Sequence, residues 1–108
     1  MKIEYFLIHL TKNMDNILRL CLDYKNNIGN TILHEVCKGN NVESVKLLIN
    51  QGNININVQN NYKLTPLHYA YEKGNNEIIQ LLIKAGADES VIDYNNNVPQ
   101  NLLKCKGK

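Results

Sequence analysis

The chain has 108 residues, enough for one domain, with 44% apolar residues, 20% charged residues and a formal net charge of +2. That weak basic balance says little about partners by itself. No apolar run approaches the ~18 residues of a membrane span, and Cys21, Cys37 and Cys105 lack the spacing of a disulfide framework, so no membrane and a reducing compartment are expected.

At the start, Glu4 and His9 interrupt Met1-Lys2-Ile3-Glu4-Tyr5-Phe6-Leu7-Ile8-His9, and no small-residue cleavage site follows. This is not the pattern of a secretory signal, and an intracellular, cytoplasmic protein is expected. Asparagine then punctuates the chain in clusters: Asn26-Asn27, Asn40-Asn41, Asn60-Asn61, Asn75-Asn76 and Asn95-Asn96-Asn97. Its side chain mimics a backbone group and tolerates positive φ, so the clusters predict turns and caps.

An internal repeat organises the middle of the chain. At an offset of 34, Thr31 falls on Thr65, Leu33 on Leu67, His34 on His68, Asn41 on Asn75, Leu47-Leu48-Ile49 on Leu81-Leu82-Ile83, and Gly52 on Gly86. Each unit reads as a cap, a short helix, a turn, a second helix and an extended loop. Thr65 is an N-cap and Pro66 a first helical residue. His68, three residues on, can reach back to the cap in the manner of a capping box. The first helix is predicted over 66–73, Gly74-Asn75 breaks it, and the second runs over 76–85 with Ile78, Ile79, Leu82 and Ile83 as its apolar stripe. Gly86 closes that helix. Such a unit cannot bury its stripe alone, but stacked copies can.

The chain at this point closely resembles the ankyrin-repeat family. The family's motif stands as Thr65-Pro66-Leu67-His68-Tyr69-Ala70, its helix exit as Gly86-Ala87-Asp88, and its finger turn as Asn26-Asn27-Ile28-Gly29-Asn30-Thr31. The resemblance implies an all-α solenoid of stacked helix-turn-helix units with short β-hairpin-like finger loops. On that resemblance the single domain, 1–108, divides into an N-terminal capping repeat (2–25), two repeats (26–59 and 60–92) and a C-terminal half-repeat cap (93–108), the N-terminal repeat having helices over about 3–10 and 15–22 with Cys21 on an apolar face. Gln100, Asn101 and Lys104 fall on the exposed side of that cap. Ile32, Val36 and Lys63 depart from the family's Pro, Ala and turn Gly, and Lys63 is expected at positive φ. The family also implies that His34 and His68 hydrogen-bond neighbouring loops, which outweighs reading His34 and Cys37 as metal ligands.

No nucleophile–base–acid arrangement, paired carboxylates or phosphate-cradling glycine loop is recognisable, and no enzyme activity, small-molecule substrate, cofactor or metal is expected. Repeat-variable exposed positions carry the functional expectation. The resemblance places binding on the concave side, at the fingers and inner helices. The candidates are Asn27, Ile28, Asn30, Glu35, Lys38 and Gly39 in the first unit, and Asn61, Tyr62, Leu64, Tyr69, Glu72 and Lys73 in the second. Tyr94, Asn95 and Asn97 follow in the last finger. Tyr62, Tyr69 and Tyr94 are expected to line one groove, because tyrosine offers a large contact area at low entropic cost. A monomeric, non-catalytic module that binds another protein is the leading reading. An inhibitor or immunity-type protein that occludes an enzyme or toxin is the alternative. Nucleic-acid binding through Lys104, Lys106 and Lys108 ranks below both.

Overall fold

The computed structural model describes residues 24–52 and 54–103. The two helices expected over 3–10 and 15–22, Cys21, Cys105 and the tail lysines lie outside the described residues. Within them stand α1 (Ile32–Lys38), α2 (Val42–Asn50), α3 (Pro66–Lys73) and α4 (Asn76–Lys84), followed by a 3-10 turn (Pro99–Leu102). No strand occurs among the described residues.

The helices begin where the sequence supplies caps. The Thr31 hydroxyl accepts from the His34 amide at 3.4 Å, and the Thr31 amide donates to His34 Nδ1 at 3.0 Å. Thr65 and His68 repeat this at 3.3 and 3.0 Å. Each pair satisfies orphan N–H groups in both directions, which is the logic of a capping box. Asn41 and Asn75 cap α2 and α4, accepting from Ser44 and from Glu77 and Ile78. The turn inside each unit passes through a left-handed residue, Asn40 (φ 64°) or Gly74 (φ 70°). Asn75 Nδ2 donates to Asn40 Oδ1 at 2.9 Å and ties one such turn to the next.

Two boundaries differ from expectation. The α4 helix ends at Lys84, with Ala85 as its cap residue. Within the described residues the expected final helix is represented by one 3-10 turn, and Val98 has no hydroxyl with which to cap it. Asn101 Oδ1 accepts from the Val98 amide at 2.9 Å and supplies half of the missing box. Gln100 and Asn101 are exposed, as an end requires.

Leu33, Cys37, Val45, Leu48, Leu67, Ala70, Ile78, Ile79 and Leu82 form one buried cluster. Fully burying a side chain such as Leu67 or Leu82 contributes roughly 1.5–3 kcal/mol. The packing is sequential. The α1 helix packs on α2 and α3, α3 on α4 and the 3-10 turn, and α2 on α4. Inner elements therefore stack on inner ones and outer on outer, as in a one-dimensional solenoid.

Candidate functional site

Three finger turns share one construction. In the first, the Asn26 amide donates to the Asn30 carbonyl (3.0 Å) and the Gly29 amide to the Asn26 carbonyl (2.9 Å). Asn60, Lys63 and Leu64 repeat these bonds in the second finger, and Asp93, Asn96 and Asn97 in the third. This is the three-residue hairpin connection in which a turn is followed by a left-handed residue. That residue is Gly29 (φ 80°), Lys63 (φ 64°) or Asn96 (φ 63°). One side-chain oxygen nucleates each turn. Asn26 Oδ1 accepts from the amides of Ile28 and Asn30, Asn60 Oδ1 from Tyr62 and Leu64, and Asp93 Oδ1 from Asn95 and Asn97. The asparagine clusters thus act as turn formers, through Asx-type bonds. Hairpin-like closure is present without a strand.

The fingers are bound to one another. The Asn61 amide donates to the Ile28 carbonyl at 2.8 Å, and the Tyr94 amide to the Tyr62 carbonyl at 3.1 Å, in the same register. Each histidine reaches across a unit boundary. His34 Nε2 donates to the Leu64 carbonyl at 2.8 Å and His68 Nε2 to the Asn97 carbonyl at 3.0 Å. Because Nδ1 faces a threonine N–H in both, Nε2 carries the proton. Burial holds His34 below its ordinary pKa, against the opposing pull of the Leu64 carbonyl. With both ring nitrogens engaged, and Cys37 buried with its thiol pushed up to about 12, the pair offers no free ligand to a metal.

A buried polar network seals the first two fingers. Asn30 Oδ1 accepts from Asn60 Nδ2 at 2.7 Å and from the Tyr69 hydroxyl at 3.3 Å. Asn30 Nδ2 donates to Glu35 Oε2 at 2.9 Å, which also accepts from Asn26 Nδ2 at 3.0 Å. The Tyr69 ring stands edge-on to His34, with centroids 5.8 Å apart. No buried side-chain polar atom among the described residues lacks a partner.

This network corrects the expected surface. Asn30 is fully buried and Tyr69 is 7% exposed, so neither lines an open groove. Their polar atoms turn inward because each finds a partner across the unit boundary. Glu35 is half-buried and committed to Asn26 and Asn30. Ile28, Leu64 and Asn97 are half-buried too, the last two with carbonyls held by histidine. Asn27, Asn61, Asn95, Lys38, Gly39, Glu72 and Lys73 are exposed. Tyr62 is 52% and Tyr94 64% exposed, and they stand on adjacent, hydrogen-bonded fingers. Sequence reading missed Asn60, the central donor of the network. It read Lys63 as a backbone position, a departure from glycine at positive φ, and not as a binding residue, yet the Lys63 ammonium lies 5.9 Å from the centre of the Tyr94 ring.

Stacked helix pairs, histidine-locked boundaries and projecting finger turns define an α-helical repeat solenoid. Residues 6–93 match the family model for ankyrin repeats in three copies, and the chain belongs to the ankyrin-repeat family. No curated protein matches the sequence significantly. Ankyrin repeats generally serve as protein–protein interaction modules.

Proposed function

We propose that this domain binds a partner protein through its finger row, without catalysis. The observation behind this reading is the pair Tyr62 and Tyr94, both more than half exposed on turns that hydrogen bonds hold in place. Large aromatic rings kept in solvent on a rigid support lose little entropy on binding, and such residues concentrate binding energy. Asn27, Asn61 and Asn95 add exposed hydrogen-bonding groups beside them, and Lys38, Glu72 and Lys73 mixed charge at the inner-helix ends. We also place the protein in a reducing intracellular compartment, as a monomer when free. The buried, unpaired Cys37 thiol supports the compartment.

Affinity capture with the wild type and with a Tyr62→Ala/Tyr94→Ala double variant tests the reading. Loss of the captured protein, with an unchanged melting temperature, is expected. Equal recovery by both forms removes the finger row as the binding surface.

A further inference from the structure

Lys63 occupies a left-handed position, φ 64°, where the equivalent residues of the other fingers are Gly29 and Asn96. Glycine and asparagine tolerate that region, and a long side chain there carries a steric cost. Of Lys63 the turn needs only the backbone, since Asn60 Oδ1 supplies the side-chain bonds. Among the described residues Lys63 is the one residue other than Gly or Asn with positive φ. Its ammonium sits by the Tyr94 ring at cation–π range, and the side chain is exposed. Among the described residues, ion pairs join Lys46 to Glu43 and Glu77, and Lys63 has none.

The surrounding fingers offer Lys63 no carboxylate. Asp93 is buried and accepts from the amides of Asn95 and Asn97. Glu35 is held by Asn26 and Asn30. A cation without a carboxylate partner therefore stands beside the exposed Tyr94 ring, on the same hydrogen-bonded finger as the exposed Tyr62.

We infer that Tyr62, Lys63 and Tyr94 form an anchor for an acidic segment of a partner protein, with Lys63 determining specificity. The inference rests on the finger-row reading above. A carboxylate of the segment pairs with the ammonium, while a neighbouring aromatic or aliphatic side chain packs on the tyrosines. A single-stranded nucleic acid fits less well. It calls for a run of cations along the backbone, whereas the described fingers and their lead-in residues supply only Lys25 and Lys63.

The test is selection of a random displayed peptide library on the intact chain, followed by affinity measurements at low and high salt. Selected peptides should carry Asp or Glu beside an aromatic residue or leucine. Lys63→Asn, which places the residue found at position 96, should hold or raise the melting temperature, since asparagine tolerates the left-handed position, while weakening binding by about two- to fivefold. Lys63→Glu should weaken it further, and high salt should erase the difference. Peptides without acids, or acidic peptides that bind Lys63→Asn as tightly as wild type, overturn the inference. If such peptides still lose Tyr62→Ala, the finger row survives and only the role of Lys63 falls. Indifference to both variants removes both readings. Lys63-dependent binding of a thymidine oligonucleotide in place of any peptide would also overturn it.

Discussion

At the scale of single residues, the chain uses asparagine in two ways that look identical in sequence. Asn27 is exposed, whereas Asn30 is fully buried and joins Asn60, Tyr69 and Glu35. Leaving buried partners unsatisfied costs about 1–3 kcal/mol, while an exposed substitution changes stability by about 0.5 kcal/mol or less. Asn30→Ala should therefore lower the urea midpoint clearly and Asn27→Ala hardly at all. Equal midpoints would mean that the network contributes nothing. His34 gives a second expectation. Its folded pKa lies below its ordinary 6.5, so the unfolded chain takes up a proton first as pH falls. Stability from this group is complete above about pH 6.5 and declines below it, until the folded histidine also protonates. The urea midpoint should drop between about pH 7.5 and about pH 5.5, and His34→Gln should flatten that decline. A midpoint that rises on acidification would contradict the assignment.

At the scale of elements, the caps and turns were legible and the seals between units were not. Thr65-Pro66-Leu67-His68 announces a capped helix, because every bond involved spans three residues or fewer. The exposure of Tyr69 depends on Asn30, which lies 39 residues away in sequence. Variation between units reads as surface freedom. Here it also arises because successive boundaries are sealed differently: the site filled by Asn30 in the first finger is filled by Leu64 in the second. Lys63 at positive φ was foreseen, since the finger demands a left-handed residue whatever occupies it. The cost of crowding between fingers can be isolated. Gly29 and Gly52 have nearly the same φ, 80° and 81°. A Cβ on Gly29 would lie 2.7 Å from Asn61 Oδ1 and 3.2 Å from its amide nitrogen, whereas a Cβ on Gly52 meets nothing within 4 Å. Both alanine variants share the backbone penalty. Gly29→Ala should lose roughly 1 kcal/mol or more beyond Gly52→Ala in chemical denaturation, since the fingers must part. Equal losses would show that finger contact is loose.

At the scale of the whole molecule, the main packing among the described elements joins neighbours, and the fingers repeat that order along one edge. The outer helices carry Glu43, Lys46 and Glu77 in a solvent-facing set whose exposed ion pairs contribute little. The finger edge carries Tyr62 and Tyr94 exposed on turns that backbone hydrogen bonds hold in place, with the Lys63 ammonium beside Tyr94. The central claim is that recognition happens on that edge. Two-dimensional amide NMR, recorded while a captured partner is titrated into the labelled domain, tests it most directly. Shifts concentrated at Asn61, Tyr62, Lys63, Tyr94 and Asn95 are predicted. Shifts confined to the outer helices, at Glu43, Leu47 and Glu77, would contradict it.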